Sequence, residues 1–280
     1  MAETVPPAQD SGMSTPVALT IAGSDSSGGA GIQADLKTFA ALGVYGASVI
    51  TALTAQNTTG VTGIHLVPPD FVFAQIDAVF SDLDVKAVKI GMVAQRATID
   101  AIAVALERWS QVPIVLDPVM VATSGDRLLE AEAEAVDALR TRLIPAAAIL
   151  TPNLPEAAAL LDEPIASSAA EIEAQGRRLL ALGCPAVLIK GGHAGGSASV
   201  DYLMSAAGTL TLSAQRSPTR NTHGTGCSLS SAIAAGLAKG EDLVTAVRSA
   251  KIWVSDAIAA ADRFSVGHGH GPIHHFHRHY

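Results

Sequence analysis

The segment 221–227 reads Asn-Thr-His-Gly-Thr-Gly-Cys and precedes an apolar, alanine-rich stretch that predicts a helix. Its two glycines, Gly224 and Gly226, allow the backbone to pack closely against a ligand. The first turn of the following helix would present unpaired amide N–H groups, which bind phosphate well. We interpret the segment as an anion site. A glycine-bearing loop before a core helix is the ordinary alternative.

Cys227 ends that segment, and its thiol could take part in chemistry. A free thiol titrates near ~8.5, and a helix N-terminus lowers this pKa, so we expect Cys227 to be partly ionised. Cys184 precedes an apolar strand and is predicted to be a buried structural residue. The unlike contexts of the two cysteines argue against a disulfide framework and favour a reducing cytoplasm.

A second glycine-rich segment, 22–37, carries four glycines within nine residues and could wrap around a small flat ligand. Part of it, 29–34, satisfies the dinucleotide pattern G-x-G-x-x-A. The preceding strand is predicted to end too early for that fold, and the second strand lacks the acid that holds ribose hydroxyls. A P-loop is excluded because the sequence contains no Gly-Lys dipeptide.

Other polar residues follow predicted strands. Gln56 offers an amide donor beside an acceptor, which could pair with the amine and ring nitrogen of an aminopyrimidine. The alternative is a loop side chain that faces water. Asn153 and Glu156 have the spacing of a helix capping box, which is compatible with a functional role. For Asp35 the ordinary alternative is a solvated acid in a helix's first turn.

These loops belong to an alternating pattern of strands and helices, which implies βαβ crossovers and a parallel sheet. Strands are predicted at 17–22, 47–53, 87–90, 114–116, 148–150 and 186–190, and an edge hairpin at 199–204 and 209–214. Helices are predicted at 32–42, 70–82, 98–109, 131–142, 154–161, 169–182, 226–238 and 242–261. In such sheets ligands bind beyond the carboxyl ends of the strands.

Composition bounds the protein's class. The 280 residues are 49% hydrophobic but only 4% aromatic, so the core must be built mostly from Ala, Val, Ile and Leu. The net charge of −8 argues against nucleic-acid binding. No apolar run approaches the ~18 residues that would span a bilayer, and no signal peptide is evident. We predict a flexible tail at 1–15 and a single domain at 16–280.

From about residue 17 to 276, the order of the motifs resembles the hydroxymethylpyrimidine/phosphomethylpyrimidine kinases of thiamine biosynthesis, within the ribokinase-like superfamily. Segment 22–37 closely matches that family's substrate loop. Segment 221–227 resembles the superfamily signature D-T-x-G-A-G-D, with Asn221, Thr225 and Cys227 at the replaced positions. The resemblance implies an α/β fold, a three-layer α/β/α sandwich with a mostly parallel sheet. It also implies a homodimer that uses MgATP to phosphorylate the pyrimidine alcohol and then its monophosphate.

The resemblance also implies roles for individual residues. Cys227 would be the base or orienting group, assisted by Lys190 and an anion hole of Gly224, Thr225 and Gly226. The pyrimidine would contact Gly23, Ala30, Asp35, Gln56, Met92 and Val119. ATP would contact Asp117, Asn153, Glu156, Lys190, Thr222, Gly224 and Gly226, with Mg²⁺ near Asp117 and Glu156 through water.

Two other functions remain open at this point. A pyridoxal or pyridoxine kinase could share the fold, although Gln56 weighs against it. A non-catalytic sensor of thiamine precursors is the alternative from another class. The presence of Lys190, Glu156, Asp117 and Cys227 together weighs against a sensor.

Overall fold

The structure is a computed structural model that describes residues 15–109, 112–120, 132–192 and 197–280. Its strands are β1 (Val17–Asp25), β2 (Tyr45–Asn57), β3 (Gly60–Leu66), β4 (Val85–Ile90), β5 (Ile114–Leu116), β6 (Ile149–Leu150), β7 (Ala186–Ile189), β8 (Ala198–Ser205) and β9 (Gly208–Gln215). Its helices are α1 (Gly31–Ala41), α2 (Pro69–Phe80), α3 (Arg96–Trp109), α4 (Glu132–Ala138), α5 (Leu154–Leu161), α6 (Ala169–Leu180), α7 (Thr225–Ala238) and α8 (Leu243–Ala259). Apart from Thr15, the predicted tail lies outside the described residues.

The strands form one sheet in the order β3-β2-β1-β4-β5-β6-β7-β8-β9. The six from β2 to β7 run parallel, whereas β3 is antiparallel to β2 at one edge, and β8 and β9 form the predicted hairpin at the other. Helices α1, α7 and α8 pack on one face and α2 to α6 on the other. The predicted three-layer α/β/α architecture is confirmed.

Small side chains bring α1 and α7 close to the sheet. Towards these helices the strands present Ala18 and Ala87, and α7 contributes a run of buried small and aliphatic residues around Ala234. Successive strand residues alternate between faces, so Thr20 and Lys89 point to the same side as the two strand alanines. Thr20 and Lys89 are cross-strand partners, and they place two polar groups beneath the loops at the carboxyl ends.

Two strands differ from their predicted bounds. β2 does not end at residue 53 but continues to Asn57 and pairs with β3, which the sequence did not predict. The residues of β3 are exposed or half-buried on both faces, so the strand lacks the apolar alternation that marks a half-buried strand. β1 continues past Ala22 to Asp25 through an irregularity in its pairing with β2.

The predicted helix 131–142 is shorter than expected. α4 ends at Ala138 and continues as a π-helical turn over Leu139–Leu143, while residue 131 lies outside the described residues. Across the part of the chain that the structure describes, no helix is both long and apolar enough to cross a membrane.

Candidate active site

The anion loop, residues 221–227, leads directly into α7. Gly224 is the N-cap, with φ of +78°, and a Cβ there would lie 1.9 Å from the carbonyl oxygen of Gly29. Only glycine combines this conformation with this close approach. The backbone N–H of Thr225 and its hydroxyl both donate to the carbonyl of Thr222 (3.2 and 2.7 Å), which closes the turn. The loop therefore presents the first backbone amides of α7 beyond the carboxyl ends of the parallel strands.

Two charged residues lie beside the start of α7. Lys190 follows β7, and its Nζ donates to Oδ1 of Asp117, which follows β5, at 2.7 Å. The Ser230 hydroxyl of α7 donates to the other oxygen of Asp117 at 3.1 Å. Burial would raise the pKa of Asp117, but the ammonium groups of Lys190 and Lys89 lower it, so the carboxylate stays ionised. A Cβ on Gly226 would lie 3.3 Å from Lys190 Nζ, which places this cation at the helix start.

Glu156 is the third charged residue of this group. Its Oε2 lies 3.7 Å from Lys190 Nζ and accepts from the backbone N–H of Asn153 at 2.7 Å. The Glu156 N–H donates to Asn153 Oδ1 at 2.8 Å, which confirms the predicted capping box. Burial raises the pKa of Glu156 to about 7, and Asp117 adds to this effect while Lys190 opposes it. Near neutral pH the side chain is therefore divided between its neutral and ionised forms.

Cys227 is the third residue of α7, and the prediction of a partly ionised thiol is wrong. Burial raises the pKa of the Cys227 thiol to about 11. The carboxylates of Asp35 and Asp117 add to this effect and Lys89 opposes it. The desolvation free energy of a buried thiolate is larger than the stabilisation that a helix N-terminus gives it. The thiol is thus protonated at neutral pH. Cys184 is buried, as predicted, and its thiol contacts the carbonyl oxygen of Ala186 at 3.0 Å.

Asp35 is fully buried, so its interpretation as a solvated acid is wrong. It lies in the second turn of α1, and Lys89 Nζ donates to both of its oxygens at 2.9 and 3.0 Å. The hydroxyls of Thr20 and Ser231 donate to the same carboxylate at 2.6 and 2.7 Å. The sequence did not indicate a role for Lys89. The predicted contact between Asp35 and a substrate stays a prediction, because protein donors already surround the carboxylate.

The other predicted substrate residues fall into two places. Met92 belongs to a small apolar cluster against which Val119 packs, and a Cβ on Gly23 would lie 3.0 Å from the Met92 sulfur. Ala30 is the N-cap of α1. Gln56 lies on β2, not in a loop, and borders a cavity of about 310 Å³. Such a volume suits a small ligand.

Two residues that the sequence analysis did not single out connect these places. His223 Nε2 lies 2.8 Å from Asp25 Oδ2, and both side chains are buried. Asp25 also accepts from the backbone N–H groups of Ser27, Gly29 and Ala30, so it organises the glycine-rich loop. The pair joins that loop to the anion loop. Since 198 residues separate Asp25 from His223, no local pattern could have predicted their contact.

The charged residues fit a magnesium ion of the kind that accompanies nucleotides. Such an ion takes one or two carboxylates and completes its shell with water and phosphate oxygens. Asp117 and Glu156 offer carboxylate oxygens on either side of Lys190. Within the described ranges, no three or more His, Cys, Asp or Glu side chains gather to hold a metal by themselves. The donor set thus matches a metal that is bound together with a phosphate ligand.

Comparisons with known proteins identify the family of the chain. The family model described as phosphomethylpyrimidine kinase matches residues 25–274. A hydroxymethylpyrimidine/phosphomethylpyrimidine kinase of Rhizobium meliloti (strain 1021) is 58% identical, over 94% of this chain and 98% of that protein. The protein of the same name from Escherichia coli (strain K12) is 55% identical, over 93% and 97%.

Solved structures show the same fold. The phosphomethylpyrimidine kinase from Clostridium difficile 630 superposes with a TM-score of 0.75 at 44% identity, covering 86% of this chain and 99% of that chain. The pyridoxal kinase from Staphylococcus aureus in complex with AMP-PCP and pyridoxal reaches a TM-score of 0.86 at 30% identity, covering 95% of both chains. These matches confirm the predicted ribokinase-like fold, and the chain belongs to the phosphomethylpyrimidine kinase family.

Proposed function

We propose that the protein transfers the γ-phosphoryl group of ATP to 4-amino-5-hydroxymethyl-2-methylpyrimidine, and then phosphorylates the resulting monophosphate to the diphosphate. One observation carries the proposal. The start of α7, with Lys190 and Asp117 beside it, adjoins the glycine-rich loop, since a Cβ on Gly224 would meet the carbonyl of Gly29. An anion site thus lies next to the loop whose Gly23 lies against Met92, and the names of the relatives support a pyrimidine acceptor here.

Phosphoryl transfer depends mainly on positioning and on electrostatic stabilisation of the transferred group. The amides at the start of α7 and the Lys190 ammonium would bind the phosphate oxygens. Interactions between Asp117 and both Lys190 and Ser230 hold these groups in place before any ligand arrives. This preorganisation is the main contribution that the protein's own residues make to the reaction.

Cys227 has a modest part in this scheme. Its thiol is protonated at neutral pH, so it would orient the attacking oxygen and not act as a strong resident base; the proton of the alcohol would pass to a phosphoryl oxygen or to water as the new bond forms. In the second step the nucleophile is a phosphate monoester, which is already an anion near neutral pH. A neutral thiol repels that anion less than a carboxylate would. This explains why a thiol suits an enzyme that phosphorylates both an alcohol and a phosphate.

Three further properties complete the proposal. Mg²⁺ would be held near Asp117 and Glu156, where it would neutralise charge on the phosphates. A homodimer is proposed because the sequence resembles dimeric kinases. A cytoplasmic location is proposed because the cysteine usage suits a reducing compartment.

The direct test is mass-spectrometric product analysis. Purified protein receives MgATP with the pyrimidine alcohol, its monophosphate or pyridoxal in separate reactions. Diphosphate from both pyrimidines is the expected result. Formation of pyridoxal phosphate alone would instead assign the protein as a pyridoxal kinase, and no turnover with any acceptor would favour a sensor.

The chain's two cysteines provide a matched control. Cys227→Asp adds a negative charge beside the attacking oxygen, so we expect it to slow the phosphate step more than the alcohol step, whereas Cys227→Ser keeps a neutral donor and should affect the two steps alike. Cys184→Ala changes a thiol remote from the site and should leave both steps at the wild-type rate. Equal losses in the two steps of Cys227→Asp would contradict the role proposed for the thiol.

A further inference from the structure

Gln56 is the residue expected to recognise the pyrimidine edge, and its amide has two orientations of equal shape. A half-turn about the last side-chain bond exchanges the oxygen for the nitrogen. One orientation points Oε1 at the Thr54 hydroxyl (3.1 Å) and Nε2 at the ring Nε2 of His223 (3.4 Å). Which orientation is stable depends on whether these two neighbours can donate or accept.

The His223 end requires an acceptor from Gln56. Burial would raise the pKa of Asp25, but hydrogen bonds from His223, Ser27 and Ala30 outweigh it and hold the pKa well below its usual range. The carboxylate is therefore ionised, and His223 Nε2, 2.8 Å away, must carry a proton to donate to it. A ring nitrogen that carries its proton cannot accept from an amide N–H, whether or not Nδ1 is also protonated. The one proton on Nε2 goes to Asp25, so only the amide oxygen of Gln56 can face this nitrogen at 3.4 Å without setting two hydrogens against each other.

The Thr54 end requires a donor from Gln56. Thr54 has a single hydroxyl hydrogen, and its Oγ1 lies 2.9 Å from the carbonyl oxygen of Ser24, an atom that can only accept. With its hydrogen directed at Ser24, Oγ1 can only accept from the Gln56 side chain. The amide nitrogen is the group that suits it. The two ends are independent of each other, and both favour the same orientation.

We propose that Asp25, His223 and Thr54 lock the Gln56 amide with Oε1 toward His223 and Nε2 toward Thr54, and so decide which ring edge the site accepts. The lock leaves one amide N–H and one oxygen lone pair in a fixed order for a ligand. This inference rests on the proposed function and deepens it, because it makes His223 and Thr54 specificity-determining residues. They act through Gln56 and need not touch the substrate.

The lock has a consequence for substrate choice. A 4-aminopyrimidine presents an amino donor beside a ring-nitrogen acceptor. Its 4-oxo analogue presents a carbonyl acceptor beside a ring N–H donor, which is the reverse order. A locked Gln56 matches only one of the two, whereas a free amide could turn to match either. A site that leaves a buried polar group unpaired rejects the wrong ligand strongly.

The test compares kcat/KM for 4-amino-5-hydroxymethyl-2-methylpyrimidine with that for its 4-oxo analogue. The variants are Thr54→Val, His223→Leu and the double variant. The control is Thr62→Val on β3, because the Thr62 hydroxyl donates to the Ala55 carbonyl and takes no part in the lock. We expect wild type and Thr62→Val to share one strong preference for the amino compound. In the double variant the ratio should fall by about tenfold or more, since the amide can then turn. A purely structural role would lower both values and leave the ratio unchanged.

A second measurement needs no substrate. Nitrogen NMR of the ¹⁵N-histidine-labelled protein reports which ring nitrogen of His223 carries a proton, and the spectrum of His223→Leu assigns its signals among the nine histidines. A protonated Nε2 is expected, and an unprotonated Nε2 would overturn the lock. An unchanged amino-to-oxo ratio in the double variant would also overturn it. If wild type phosphorylates neither pyrimidine, the proposed function fails, and the NMR result still decides the orientation of Gln56.

Discussion

Replacing Lys89 with methionine should strongly destabilise the protein. Lys89 and Asp35 form an ion pair in which both side chains are fully buried. Burial alone would lower the pKa of Lys89, but the adjoining Asp35 carboxylate raises it, so the pair is ionic in the folded state. Methionine fills a similar volume but removes the charge. It would leave the Asp35 carboxylate in the core with only the Thr20 and Ser231 hydroxyls as partners.

The expected magnitude follows from the burial of both partners. Breaking a buried pair by removing one partner costs about 3–5 kcal/mol, because an uncompensated charge is left behind. With about 2.1 cal/mol/K of unfolding entropy per residue, a domain of this size should lose roughly 5–9 °C in Tm. The carboxylate can escape its charge only by taking up a proton, so the loss should be smaller at pH 5 than at pH 8.

Thermal and urea unfolding of wild type, Lys89→Met and the double variant Lys89→Met/Asp35→Asn test this reasoning. The double variant removes both charges and keeps an acceptor for the hydroxyls, so it should recover about half or more of the lost stability. Two outcomes would refute the reasoning that Lys89→Met leaves the Asp35 charge uncompensated. One is a stability loss below about 1 kcal/mol in Lys89→Met, and the other is no recovery in the double variant.

Three further predictions concern the site. Glu156 has a pKa of about 7 in the free protein, so kcat/KM for MgATP should fall as the pH drops below 7. Glu156→Gln should remove this fall, and a Glu156→Gln profile that keeps it would contradict the assignment. Cys227 should react slowly with iodoacetamide and show no inflection between pH 7 and 9, because its pKa is about 11; an inflection below 8.5 would indicate a thiolate site. Gly224→Ala forces a Cβ against the carbonyl of Gly29 and should lower kcat/KM about 100-fold or more, as measured by steady-state kinetics. Its control is Gly240→Ala, where φ is also positive (+85°) but nothing lies within 4 Å of the added Cβ. This variant should keep its activity and lose only about 1 kcal/mol of stability. An equal loss of activity would show that backbone strain alone explains the Gly224 result.

Features that depend on neighbouring residues could be predicted from the sequence. The capping box of Asn153 and Glu156 needs only their spacing and a helix, and it forms as predicted. Most strands and helices were placed within a few residues because their apolar periodicity is local. The strand β3 could not be predicted in this way, since its residues are exposed on both faces and carry no periodic signal.

Features of the site that depend on distant residues could not be predicted. The contact between Asp25 and His223 joins segments 198 residues apart. The buried pair of Asp35 and Lys89 needs α1, which packs on β1 and β2, to bring Asp35 within reach of the adjoining strand β4, and only packing decides this. The pKa of Cys227 was predicted in the wrong direction, because a motif shows a helix N-terminus but not the burial that opposes ionisation.

The sequence by itself therefore determined the order of most elements, the end of the sheet where ligands are expected, and the residue types that could bind phosphate. These follow from periodicity, glycine placement and short-range spacing, which are properties of contiguous chain. Only the tertiary structure decided which of the polar groups are charged, which are buried and which hold one another. Desolvation and Coulomb energies depend on everything that surrounds a group, and at this site the surroundings come from β1, β4, β5, β7, α1 and α7 together.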